Sequence, residues 1–159
     1  MSKKSKLNHS TERIPAFGHA IVIGSSIAGL TAARVLADYF AQVTIIERDD
    51  LSPTPEFRRG LPLPLRGQTI LEQLFPGLLA ELVANGAIQI NDGNEMAFFI
   101  AGKWHEVKHN AAMVSMTCSR PLLDTTIYQR LVAWPNVRVI HQREVAGLSV
   151  DRQGQRVVG

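Results

Sequence analysis

Ala20-Ile21-Val22-Ile23 are four consecutive apolar residues, mostly β-branched, and suit a strand covered on both faces in a parallel sheet. Behind them Ile27, Leu30, Ala33 and Val35-Leu36 follow helical spacing, which predicts a helix from about Ser26 to Asp38 or Tyr39. A second strand is expected over Gln42 to Glu47. The stretch from Asp49 to Pro64 carries Pro53, Pro55, Pro62 and Pro64, each without a backbone donor, and reads as an extended surface connection rather than sheet or helix. Ile70, Leu71, Leu74, Leu78, Leu79 and Leu82 form a packing stripe on two helices, about Gly67 to Phe75 and Gly77 to Asn85. Pro76 breaks them and Gly86 caps the second.

From residue 87 the period changes. Ala97 to Ile100 and Lys103 to Val107, joined at Ala101-Gly102, read as a hairpin. Ser119 and Pro121 then mark the start of a helix reaching about Val132, with the serine able to cap it. Val137 to Ile140 reads as another strand of the parallel sheet. Val145 to Val150 and Gln155 to Val158 suggest a hairpin around Asp151-Arg152-Gln153-Gly154.

The first three elements enclose Gly24-Ser25-Ser26-Ile27-Ala28-Gly29, close to the pattern Gly-x-Gly-x-x-Gly with Ser26 in place of the middle glycine. Gly24 lets the chain turn sharply at the strand end, and Gly29 and Ala33 keep the helix close to the sheet. The free N–H groups at the helix start, from about Ile27 onward, face the place where a pyrophosphate would lie, backed by the positive end of the helix dipole. A serine at position 26 leaves the backbone path unchanged and could donate to a phosphate oxygen. Glu47, eighteen residues after Gly29 and followed by Arg48, stands at the carboxyl end of the second strand. There its carboxylate can accept from the hydroxyls of an adenosine ribose and would repel a phosphate on them, so FAD or NAD fits better than NADP. The alternative is a βαβ unit that merely packs.

Composition adds exclusions. With 159 residues, 45% of them hydrophobic and 19% charged, the chain suits one globular domain. The net charge of +3 owes much to Lys3, Lys4 and Lys6 in a polar leader of residues 1–18, so nucleic acid is not indicated. No stretch has the length of a signal peptide's apolar run or a membrane span. Cys118 alone cannot form an internal disulfide and fits a reducing, cytoplasmic setting, where it reads as a buried structural thiol. His105 and His109 would stand roughly 13 Å apart on a strand, too far to share one ion, so no metal site is expected.

The stretch Gly24 to Asp49 resembles the FAD fingerprint of FAD-dependent monooxygenases of the p-hydroxybenzoate hydroxylase type. It is most similar to the branch of polyprenyl-phenol hydroxylase-like and halogenase-like oxidoreductases, where Gly-x-Ser-Ile-Ala-Gly is common. A second signature is Met116-Thr117-Cys118-Ser119-Arg120-Pro121-Leu122-Leu123-Asp124. The resemblance implies an α/β chain with a Rossmann-like FAD-binding βαβ fold of the glutathione-reductase type and the beginning of a β-hairpin layer. Residues 19–159 would be the N-terminal part of an FAD-binding domain. The second Gly-Asp motif and most of the substrate domain would lie beyond it, and a separately encoded C-terminal half is one partner to expect.

It further implies a cofactor-binding set of Gly24, Ser25, Ser26, Ile27, Ala28, Gly29, Glu47, Arg48, Arg58, Arg59 and Arg120, with NAD(P)H as co-substrate and no nameable catalytic residue. Arg58 and Arg59 are alternatively an exposed pair, and Arg120 alternatively the partner of a nearby carboxylate. One departure is the run from Arg59-Gly60-Leu61-Pro62 almost directly into Leu65-Arg66-Gly67-Gln68. Relatives carry about ten more residues there, including a histidine pair, that pass near the flavin. The function implied is oxygenation of an aromatic or polyprenyl-type small molecule using NAD(P)H and O2. The alternative is a non-catalytic dinucleotide-binding module.

Overall fold

The computed structural model describes residues 17–50, 60–91, 95, 97–106 and 114–158. Its first sheet is parallel and contains β1 (Phe17–Ile23), β2 (Phe40–Ile46) and β8 (Val137–Ile140), in the order β1-β2-β8. Ile23 is in register with Ile46, and Ile46 with Ile140, so the three strands end side by side. Parallel neighbours need crossovers, and helices supply them. α1 (Ile27–Leu36) links β1 to β2, and α4 (Arg120–Val132) leads into β8.

Both helices cover one face of this sheet. Leu30 and Ala33 of α1, Val43 and Ile45 of β2, and Leu123, Ile127 and Leu131 of α4 are all buried in one cluster. At the far end Asn136 Nδ2 donates to the carbonyls of Ala37 and Phe40, at 2.8 and 2.9 Å, tying the turn before β8 to the turn before β2. Ser119 does cap α4, accepting from the Leu122 amide at 3.3 Å, and Pro121 sits in its first turn.

A second, antiparallel sheet contains β3 (Gly60–Leu63), β7 (Val114–Ser119) and β4 (Ile88–Asn91), in the order β3-β7-β4. Between β3 and β4 lie α2 (Leu65–Leu74) and α3 (Leu78–Ala84), divided at Pro76 as expected. The expectation of an extended connection up to Pro64 is corrected here. Gly60 to Leu63 pair with Ser119 to Met116, and Pro62 is tolerated because β3 is an edge strand. Neither β4 nor β7 was foreseen. In β7 the buried Met116 and Cys118 alternate with half-buried Ser115, Thr117 and Ser119, a period-2 signal overshadowed by the helix start that follows. Buried Gln68 joins this layer to its helix, donating through Nε2 to the carbonyls of Leu63 and Val114.

The hairpin of β5 (Ala97–Ile100) and β6 (Lys103–Glu106) is present and turns at Ala101 and Gly102, both with positive φ. The last expected hairpin is reduced to a single antiparallel bridge, Val150 to Val157, around the turn at Asp151. Its flanking residues Leu148, Val150, Val157 and Val158 are exposed, so no face is buried to hold a longer ladder in register.

Candidate functional site

The three parallel strands deliver three loops to one edge. After β1, Gly24 takes φ +91°, a conformation that glycine adopts without strain, and its amide donates to the Ile46 carbonyl at 2.8 Å. Beyond β2 the Glu47 amide donates to the Ile140 carbonyl at 2.8 Å, and the Arg143 amide donates back to the Glu47 carbonyl at 3.0 Å. Backbone bonds thus zip the loops together. They surround a cleft of about 310 Å³ lined by Ile23, Gly24, Ile46, Glu47, Arg48, Arg143, Glu144 and Val145.

The helix beside this cleft begins at Ile27, with Ser26 at the N-cap. The Ser26 hydroxyl makes no capping hydrogen bond, and the first α-helical bond closed is that of Leu30 N to Ser26 O. The amides of Ile27, Ala28 and Gly29 therefore have no acceptor within their helix. Close packing sets their position. A Cβ on Gly29 would stand 2.0 Å from the Gly24 carbonyl oxygen, so the helix can lie this near the strand end only with glycine there.

Glu47 is the charged centre of the edge. Its Oε2 accepts from both the amide and the hydroxyl of Ser25, each at 2.6 Å, and its Oε1 from the Asp49 amide at 2.9 Å. Partial burial pushes this carboxyl up, but the hydrogen bonds from Asp49, Ser25 and Arg48 outweigh it and hold the group below the usual carboxylate range. Arg48 is exposed and pairs with Asp49 at 3.2 Å.

Arg120 opens α4. That helix ends at the amino edge of β8, so it starts at the carboxyl edge of the sheet, the edge that carries the Gly24 loop. Its Nε donates to Asp124 Oδ2 at 2.6 Å, which is the carboxylate pairing foreseen as one of its two roles. Burial pushes the Asp124 carboxyl up, with Arg120 working against that shift. Among the described residues no hydrogen-bond partner reaches the other, buried oxygen, Oδ1.

Gly24, Ser25, Ser26, Ile27, Ala28, Gly29, Glu47 and Arg48 are thus gathered at one edge, with Arg120 at the same end of the sheet. Arg58, Arg59 and His109 lie outside the described residues. Arg143, Glu144 and Val145 were not anticipated. Their only sequence signal is that they follow a strand now seen to neighbour β2. Cys118 is buried, and burial first, then the Asp124 charge, push its thiol up, away from a reactive thiolate. Among the described residues no group of three or more His, Cys, Asp or Glu side chains is placed to hold a metal.

The family described as FAD binding domain matches residues 19–158. The chain belongs to that family. Its cofactor is therefore FAD, the cofactor that the fingerprint implied. Protein Rv3254 of Mycobacterium tuberculosis is 35% identical over an alignment of 153 positions that covers 89% of this chain and 32% of that protein. The chain thus spans about a third of the length of the curated relative it matches.

Among solved structures, 2-methyl-3-hydroxypyridine-5-carboxylic acid oxygenase is similar with a TM-score of 0.61, at 22% identity, over 79% of this chain and 32% of that one. PqsL of Pseudomonas aeruginosa, in complex with 2-aminobenzoylacetate, is similar with a TM-score of 0.63 at 15% identity, over 87% and 37% of the two chains. p-Nitrophenol 4-monooxygenase PnpA of Pseudomonas putida DLL-E4 gives 0.58 at 17% identity, over 87% and 34%. At such identities these likenesses speak for the fold, and the mixed α/β architecture agrees with the expectation. No helix among the described residues is long and apolar enough to cross a membrane.

Proposed function

We propose that this FAD-binding chain is the cofactor-holding portion of a flavin-dependent monooxygenase that uses NAD(P)H and O2 on an aromatic or polyprenyl-type small molecule in the cytoplasm. The observation that carries the reading is the convergence of the Gly24 loop, Glu47 and Arg143 to Val145 on one cleft beside uncapped helix amides. The amides of Ile27, Ala28 and Gly29, with the α1 dipole behind them, suit the pyrophosphate. Glu47 suits the ribose, and the wall from Arg143 to Val145 suits the adenine. Arg120 keeps N–H donors beyond the one given to Asp124, and these suit a phosphate or flavin oxygen. Arg58 and Arg59 remain the candidates for reaching toward the flavin.

When bound, FAD supplies the electron-accepting and oxygen-activating chemistry, and the chain's own residues bind and orient it. Two of the similar proteins act, by name, on ring substrates: a hydroxypyridine carboxylic acid and p-nitrophenol. They support a small aromatic or apolar substrate here.

Calorimetric titration of the purified chain with FAD and NAD separately, together with its visible spectrum, tests the reading. Saturable FAD binding with a yellow flavin spectrum is expected, and saturable NAD binding without FAD binding would reverse it. NAD(P)H oxidation coupled to O2 uptake, assayed with the adjoining polypeptide present, separates a monooxygenase from a dinucleotide-binding module without activity of its own.

A further inference from the structure

Ser25 occupies the position directly after the first glycine of the loop, where the fingerprint makes no demand on the side chain. It is nevertheless almost fully buried, at 5% exposure, and polar. Its amide and its hydroxyl converge on the same carboxylate oxygen, Glu47 Oε2, both at 2.6 Å, while the Asp49 amide takes Oε1 at 2.9 Å. Ser25 thus supplies two of the loop hydrogen bonds that orient this carboxylate, beside those from the Asp49 and Arg48 backbone. The glutamate side chain is then ordered before any ligand arrives, which removes that ordering cost from binding.

We propose that Ser25 is a positioning residue of the adenosine site, clamping Oε2 of Glu47 so that the carboxylate is presented to the ribose hydroxyls of an adenine nucleotide. This deepens the reading of the loop as an FAD site and rests on it. The clamp acts through the orientation of Glu47 and not by touching the nucleotide's phosphates. The neighbouring charges are Arg48, Asp49, Arg143 and Glu144, and the backbone bonds that hold these loops leave the clamp as the contact made by the Ser25 side chain.

Removing the hydroxyl with Ser25→Ala, or with Ser25→Gly should the alanine variant fold poorly, tests the clamp in two ways on the full chain. Without ligand, carbon-13 NMR of the Glu47 carboxyl should show its titration midpoint moving up, with Ser25→Thr restoring it. With ligand, calorimetry with ADP and with 2′,3′-dideoxy-ADP should show about a tenfold loss of affinity for ADP and little change for the dideoxy nucleotide. An unmoved carboxyl midpoint overturns the clamp. Equal losses for both nucleotides overturn the positioning role in favour of a merely structural one. If the unsubstituted chain binds neither nucleotide while its carboxyl midpoint still responds to Ser25→Ala, the adenosine-site reading falls and the positioning role with it, though the clamp stands.

Discussion

Gly29→Ala is the sharpest test of the geometry at the strand end. Two effects oppose each other. Gly29 lies inside α1, where alanine is the better helix former by about 1 kcal/mol. Against this, the added Cβ would stand 2.0 Å from the Gly24 carbonyl oxygen and 3.0 Å from its carbonyl carbon. Both are backbone atoms, so no side chain can swing aside. Ordinary contact is restored only by moving the helix, or the Gly24 turn, by more than an ångström. Overpacking of this kind costs about 1–3 kcal/mol, and rigid backbone places this site at the upper end.

The contact therefore outweighs the propensity, and a net loss of about 1–2 kcal/mol is expected. At about 2–4 °C per kcal/mol for a chain of this size, Tm should fall by roughly 2–8 °C in a circular-dichroism melt. FAD affinity should fall as well, since the displaced helix carries the first-turn amides with it. A Gly29→Ala variant with unchanged or raised Tm and unchanged FAD affinity would show that helix and turn are not in contact, and would refute the reasoning.

Glu47→Gln keeps the side chain's shape and removes its charge. FAD and ADP should bind roughly tenfold or more weakly by calorimetry, since a hydrogen bond to a charged group is worth about 1.5–3 kcal/mol. Glu72 spans the break at Pro76, its two carboxylate oxygens accepting from the amides of Gly77 at 2.5 Å and Leu79 at 3.0 Å, and these bonds hold its carboxyl below the usual range. Glu47 is shifted the same way. Because both groups have folded pKa values below their unfolded ones, their contribution is present above the ordinary carboxylate pKa and is lost as pH falls through the depressed values. Denaturant midpoints should drop across that acid window, and Glu72→Gln should flatten the drop. Asn136→Ala leaves the Ala37 and Phe40 carbonyls without their side-chain donor and should cost about 1–3 kcal/mol. Lying at the opposite edge from the cleft, it should leave FAD affinity unchanged, a separation that paired melting and titration experiments would show.

Local order in this protein was legible because its signals are local. Ala20 to Ile23, Gly24 to Gly29 and Val43 to Glu47 are each short contiguous stretches, and their spacing already implies a buried strand, a tight turn and an acid at the next strand end. The α4 start at Ser119-Pro121 and the Ala101-Gly102 turn are read the same way, from backbone chemistry carried by a few adjacent residues. Element ends were blurred by two or three residues, as with α1 closing at Leu36 and β2 beginning at Phe40.

Tertiary structure decided what depends on partners distant in the chain. Gly60 to Leu63 becomes a strand only because Met116 to Ser119 offers it a ladder on the side that Pro62 does not need. The cleft gains Arg143, Glu144 and Val145 only because β8 lies beside β2 and continues past Glu47. Likewise, Ser25 reads in sequence as a small loop residue, and its bond to Glu47 spans twenty-two positions. Spacing along the chain can place a carboxylate at the end of a strand, but which groups orient it depends on the packing that brings the loops together.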